Sequence, residues 1–356
     1  MKVLMPVLFL LFFSCASRRV IPDSVKTPVA QTELEKSKIA EGQQMHDRGF
    51  FDKALKRYRE ALDINPDNVT ALYETALTYF HMGENEKSLR YALKGMAYKS
   101  DLLAEFYMMA GNNLDIMGKP QKAIGVFKKA LKIDPEQSLF YYNLAITYFG
   151  LKDYGQATRY FIEAIKRSPH HASSHMGLAE IYIARNKQIE ALLLLSRFLT
   201  LEPKSQRSLT ALQKLDYVMN LGITAADDNK TVNINIFNQG NQDSSRFASL
   251  EIFYKLNRAS RYMDKNKGKP EIELRVLDFS RMLPFMSKDK LRETDSFLER
   301  YLISYFSDLR DAGLVEPFVY YIHQSVSDKT IQDWLRENWP KVREFETWNE
   351  KYKADL

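Results

Sequence analysis

Three stretches decide the fold: AIGVFKKALKIDP (residues 123–135), ATRYFIEAIKRSP (157–169) and ALLLLSRFLTLEP (191–203). Each carries apolar residues at helical spacing and stops on a proline, which lacks the N–H that would continue a helix. Pro135, Pro169 and Pro203 stand 34 residues apart, and Pro66, which closes ALKRYREALDINP, lies 69 before Pro135, two periods plus one residue. A second amphipathic stretch precedes these segments, as in LFYYNLAITYFG (139–150) and SSHMGLAEIYIA (173–184). The period divides the chain into five helix–turn–helix units at 35–68, 69–103, 104–137, 138–171 and 172–205. Such a unit cannot bury its apolar face alone and must stack on a neighbour.

The columns of the repeat have a packing logic. Gly42, Ala76, Gly111, Ala145 and Ala179 stand where first helices cross closely. The second helices carry Ala54 and Ala61, Ala123 and Ala130, and Ala157 and Ala164, with Tyr58, Phe127 or Phe161 between them. Helices approach to about 8 Å only where side chains are small, and an aromatic ring then fills the adjoining groove. The second unit departs from the pattern, with Ser88 and Gly95 for the alanines and an end at Ser100-Asp101 without a proline. The fifth has Phe198 at a small-residue position, which predicts looser packing there. This pattern resembles the tetratricopeptide repeat over nearly half of the chain. The resemblance implies an all-α fold, a right-handed superhelix of about five repeats, with Gln206 to Asn220 capping the last apolar face.

In such a superhelix the first helices line a concave groove. The side chains one turn from the packing columns are Ile39, Gln43, Tyr73, Leu77, Phe80, Met108, Asn112, Tyr142, Ile146, Phe149, Met176 and Glu180. An apolar, aromatic surface of this kind suits an amphipathic helix or an extended peptide, so proteins or peptides are the expected partners. The carboxylate clamp of heat-shock adaptors needs paired Lys and Asn residues. Only Asn112 and Asn143 have counterparts here, so that role is not expected. Lys53, Lys56, Arg57, Lys128, Lys129, Lys132, Lys166 and Arg167 fall on the convex side as a solvated face.

The start of the chain sets a second expectation. Lys2 precedes the apolar run Val3 to Phe13, eleven residues and too short to span a bilayer, but of signal-peptide length. Ser14-Cys15-Ala16 fits ordinary signal peptidase. Phe12-Phe13-Ser14-Cys15 instead resembles a bacterial lipobox, with Phe12 in place of the usual Leu, and this is the favoured reading. Cys15, the single cysteine of the chain, would then be the lipid-attachment residue. The expected order is a signal peptide at 1–14, Cys15 and a flexible tether to 34, the repeats and cap at 35–220, a linker at 221–245 and a smaller helical domain at 246–356. Ala16 after the cysteine favours an outer-membrane lipoprotein facing the periplasm.

The last third breaks the period. Val232-Asn233-Ile234-Asn235-Ile236 alternates as a short strand would, inside a polar linker. Helical patterns follow, one opening at Ser244-Ser245 and the longest running from Leu291 to Leu309. Lys255, Arg258, Arg261, Lys265, Lys267 and Lys269 read as a solvated helix end, and His323 as a structural histidine beside Tyr320 and Tyr321. The chain holds 51 Lys and Arg against 45 Asp and Glu, an excess too thin for nucleic-acid binding. No metal-binding, phosphate-binding or hydrolase motif occurs, so no cofactor or small-molecule substrate is expected. The sequence thus points to a non-catalytic, lipid-anchored scaffold of the bacterial cell envelope. The alternatives are an enzyme with its site in the last third and a secreted, unanchored repeat protein.

Overall fold

The computed structural model describes residues 26–225, 232–235, 247–263, 266–286 and 296–353. The expected signal segment, Cys15, Ser244-Ser245, Leu291 and Lys265 lie outside the described residues. The chain forms two compact units that divide between Ala130 and Leu131. The predicted boundary at 221–245 is therefore not where the structure divides.

The first unit is built from helix pairs: α1 (Glu33–Asp47) with α2 (Phe51–Ile64), α3 (Val69–His81) with α4 (Asn85–Gly95), and α5 (Leu103–Ile116) with α6 (Pro120–Ile133), whose end passes the division. The packing columns hold as read. A Cβ on Gly42 would lie 2.4 Å from the Tyr58 ring, and one on Gly111 2.3 Å from the Phe127 ring. Only glycine lets each ring settle against the helix backbone.

Thr32 starts α1 with a capping box. Its backbone N–H donates to Glu35 at 2.8 Å, and its hydroxyl accepts from the Glu35 N–H. Glu35 is buried and also accepts from Asn68, which caps α3 in turn, so one carboxylate ties two repeats together. Burial raises the Glu35 pKa, but the bonds from the Thr32 backbone and Asn68 more than offset it, leaving it at about 2. The tether predicted to reach residue 34 is shorter than expected. Lys26 pairs in parallel with the α4–α5 connection, accepting from the Lys99 N–H at 2.8 Å and donating to the Ala97 carbonyl at 3.0 Å. Gln31 then bonds Asn68 and Thr70.

A turn within each repeat carries a regularity of its own. Gly49, Gly83, Gly118, Lys152 and Asn186 have φ of 78°, 75°, 67°, 59° and 53°. At each, the next residue's N–H reaches back five residues, as Phe50 does to the Met45 carbonyl at 2.8 Å, which closes the first helix in a Schellman turn. The left-handed conformation suits glycine and strains a lysine.

The second unit holds α7 (Ser138–Gly150), α8 (Tyr154–Arg167), α9 (Ala172–Ala184), α10 (Gln188–Leu201) and α11 (Gln206–Asn220), the predicted fourth and fifth repeats and cap. A two-stranded antiparallel hairpin follows, β1 (Ile223–Ala225) with β2 (Val232–Ile234), pairing Ile223 with Ile234. The alternating run thus finds its mate inside the expected linker. Then come α12 (Ala248–Ala259), α13 (Glu271–Met282), α14 (Phe297–Asp311), α15 (Val315–Ile322), α16 (Lys329–Glu337) and α17 (Trp339–Lys351).

These later helices are not a separate domain. One continuous core runs from Ala145 and Phe161 through Leu193, Leu194 and Phe198 to Tyr254, Phe279, Leu302, Phe318 and Phe345. At its centre lies α10, buried at every residue from Gln188 to Thr200. A helix apolar on all sides belongs inside a fold, and α10 packs on α9 and α11 and also on α12 and α15. Phe198 is 0% exposed, so the looser packing predicted for it is corrected. The ring is covered by the capping helix, with the Arg207 guanidinium of α11 5.2 Å from its centre.

Candidate functional site

The predicted groove side chains divide into two sets, one on each unit. In the first unit, Ile39 is 4% exposed and packs with Ala54, Tyr58 and Ala61. It belongs to the core, and its assignment to the groove is corrected. Gln43 is exposed and donates to Glu74 at 2.6 Å. Tyr73 is half-buried, edge-on to Phe106 at 5.8 Å. Leu77, Phe80, Met108 and Asn112 are half-buried on the same helices. In the second unit Tyr142, Phe149 and Met176 pack partly onto the core, with Tyr142 edge-on to His171 at 4.7 Å and Phe149 on Tyr154 at 5.6 Å. Ile146 is exposed, and Glu180 pairs with Lys214 of α11 at 2.6 Å. Half-buried aromatic and aliphatic side chains are what a partner's apolar face needs, since they are held in place and still reachable.

The second unit also contains a buried polar network. Arg197 of α10 is 1% exposed. Its Nε donates to the Tyr301 hydroxyl at 3.0 Å, and one terminal nitrogen donates to Thr200 and to Asn349, both at 2.8 Å. The guanidinium lies 3.9 Å from the Tyr305 ring centre, and the Tyr305 hydroxyl donates to Asn349 at 2.7 Å. His175 of α9 meets the Tyr301 hydroxyl through Nε2 at 2.9 Å and the His171 carbonyl through Nδ1 at 3.2 Å. A carbonyl only accepts, so Nδ1 carries the proton and Nε2 accepts from Tyr301. Burial, reinforced by Arg197, lowers the His175 pKa to about 3. Each of these groups bonds to another, so the network joins α9, α10, α14 and α17 without offering a reactive atom.

Between α11, α13 and the start of α16 lies a cleft of about 470 Å³, lined in part by Asp216, Glu271, Arg275, His323 and Asp328. This is the feature the catalytic alternative requires, and its bonding decides its chemistry. His323 Nδ1 donates to the Val319 carbonyl at 2.7 Å, and Nε2 accepts from Arg275 at 2.7 Å. Burial and Arg275 push the His323 pKa down to about 3. Neither ring nitrogen is left to move a proton, so His323 positions Arg275. Arg275 pairs with Asp216 and, at 3.3 Å, with Glu271, while Asp328 caps α16.

The basic run before this cleft is solvated only at its end: Lys267 and Lys269 are exposed, but the helical part is not. Lys255 is 0% and Arg258 1% exposed. Lys255 pairs with Glu251 at 2.8 Å and donates to the Asn235 carbonyl beside β2 at 3.1 Å, and Arg258 pairs with Asp278. Arg197 was missed from sequence, although a lone charge inside ALLLLSRFLTL is a signal in itself. Its partners Tyr301 and Asn349 lie more than a hundred residues downstream, beyond the reach of any local pattern.

Tetratricopeptide-repeat models match residues 42–83, 104–137 and 126–159, so this stretch of the chain holds tetratricopeptide repeats. Human "Tetratricopeptide repeat protein 6" is 29% identical over 154 residues, 43% of this chain and 29% of that protein. The "Hsp70-Hsp90 organising protein" of Plasmodium falciparum is 26% identical, over 36% of this chain and 28% of that one. The chain therefore spans less than a third of the length of these curated relatives. The solved structure of pilF from Pseudomonas aeruginosa is similar over 53% of this chain and 85% of that one, with 21% identity and a TM-score of 0.47.

Because His175 and His323 are buried neutral, the unfolded chain takes up protons more readily than the folded one below the ordinary histidine pKa of 6.5. Their contribution is fully present above pH 6.5 and is lost as pH falls toward 3. Each histidine adds a slope of up to about 1.4 kcal/mol per pH unit. Hydrogen exchange of α9 and α15 should show protection falling steadily from pH 7 to pH 4 after correction for intrinsic rates. Flat protection over that window would contradict neutral burial.

Proposed function

We propose that this chain is a non-catalytic protein–protein interaction scaffold that presents the first helices of its repeats to a peptide or amphipathic helix. Cys15, once acylated, holds it to the bacterial outer membrane on the periplasmic side. The observation that carries the scaffold reading is the set of half-buried apolar side chains Leu77, Phe80 and Met108 on α3 and α5. Gln43 and Asn112 lie among them as polar groups able to fix a backbone. Repeat similarity to a chaperone-organising protein supports a partner-binding role. The bonding of His323 argues against the enzyme alternative, since both its ring nitrogens are engaged. The anchor rests on the sequence Phe12-Phe13-Ser14-Cys15-Ala16.

Selection of a random peptide display library on the full chain should enrich sequences with apolar residues at helical or alternating spacing. Leu77→Glu with Phe80→Glu should weaken the enriched peptides at least tenfold, about 1.4 kcal/mol, with helicity unchanged. Peptides that bind the double variant as well as the parent would remove this face as the binding surface. The anchor has its own check in the intact mass of the mature chain from bacterial membranes. A mass increased by acyl groups, and lost in Cys15→Ala, is expected. An unmodified soluble wild-type chain would leave the secreted reading in its place.

A further inference from the structure

His46, in the last turn of α1, and His81, the last residue of α3, come from adjacent repeats. His46 Nε2 and His81 Nδ1 face each other at 2.9 Å, with ring centres 4.9 Å apart. The other nitrogen of His46, Nδ1, lies 2.7 Å from the Thr78 hydroxyl, and Thr78 is fully buried on α3. The Phe51 ring stands edge-on to His46 at 5.2 Å. One imidazole is thus oriented by an anchored second contact, while the other is exposed and free to turn about its side-chain bonds.

We infer that His46 and His81 form a two-histidine binding site for a divalent transition-metal ion of the imidazole-preferring class, such as Ni²⁺, Cu²⁺ or Zn²⁺. Two metal–nitrogen bonds of about 2.05 Å span about 2.9 Å when they meet at a right angle, and about 3.3 Å at a tetrahedral angle. The observed separation already equals the right-angled bite that Ni²⁺ and Cu²⁺ accept, and a few tenths of an ångström of opening admits Zn²⁺. In the hydrogen bond the two lone-pair directions lie along one line, so coordination requires the exposed His81 ring to tilt outward while His46 stays in place. The Thr78 contact plays the part that outer-shell partners play at metal histidines, holding the ring in its orientation, and the proton shared between His46 Nε2 and His81 Nδ1 leaves, or moves to the far nitrogen of its ring, as the metal binds. Water fills the remaining coordination positions, because no group of three or more His, Cys, Asp or Glu residues is arranged for a metal among the described residues. The Phe80 ring lies 6.3 Å from that of His81, so a bound ion would sit beside the apolar face assigned to partners. The metal site stands on its own geometry and does not depend on that assignment.

The test is calorimetric titration of Ni²⁺ into the full chain purified without an affinity tag, at pH 7.5. One site should appear in the wild type, weakened about tenfold or more in His81→Gln and again in His46→Gln. It should persist in His170→Gln with His171→Gln, which separates it from the adjacent histidine pair elsewhere in the chain. His81 is exposed, so that variant should keep its fold, and an unchanged thermal midpoint without metal verifies this. Ni²⁺ should then raise the midpoint of the wild type and not that of His81→Gln. Equal Ni²⁺ binding by wild type and both single variants, or no binding by the wild type, would show that the pair only shares a proton.

Discussion

The second unit depends on a guanidinium buried in the middle of its most apolar helix. A charge taken out of water must find hydrogen-bond partners in fixed positions, and leaving such a group unpaired costs about 1–3 kcal/mol or more. Arg197 finds them in Tyr301 of α14 and Asn349 of α17 as well as in its own helix. The fifth repeat therefore cannot be satisfied by repeats alone. Its second helix reads QIEALLLLSRFLTL, with too many large apolar residues for a helix that faces solvent on one side. The last third of the chain covers that excess surface, and the network from His175 to Tyr305 fixes the register in which it does so.

That constraint explains which parts of the fold were legible. Repeats are local, so proline spacing and alanine columns placed the helix pairs close to their observed bounds. The same locality made the turns readable in principle, since Gly49, Gly83 and Gly118 recur with the period and sit in the left-handed region. Lys152 and Asn186 take that conformation at the same position and hide the signal. Contacts between distant segments were not legible. Phe198 looked like a flaw in a column because its true neighbours come from outside the repeat. Lys255 and Arg258 looked solvated because their burial depends on a hairpin strand and on Asp278.

The candidate site shows the same division. Eleven of the twelve predicted groove residues are half-buried or exposed, and Ile39 alone falls into the core. Helical spacing gives the face of a side chain, but it does not say how closely the next helix approaches. The His46–His81 pair needed two repeats to be superposed before its members met. The C-terminal cleft needed the bonding of His323 to be seen before its chemistry was clear. A scaffold reading fits a molecule whose buried polar groups hold helices together and whose first repeat helices carry half-buried apolar side chains such as Leu77, Phe80 and Met108.

The central structural claim is that the last repeats and the C-terminal helices share one core and fold as one body. Hydrogen exchange on a chain ending after Asn220, compared with the full chain, tests it directly. The amides of α10 should lose their protection in the shortened chain, while those of α1 to α4 keep theirs. Full protection of α10 without the C-terminal helices would contradict the account and restore an autonomous repeat array with an appended domain.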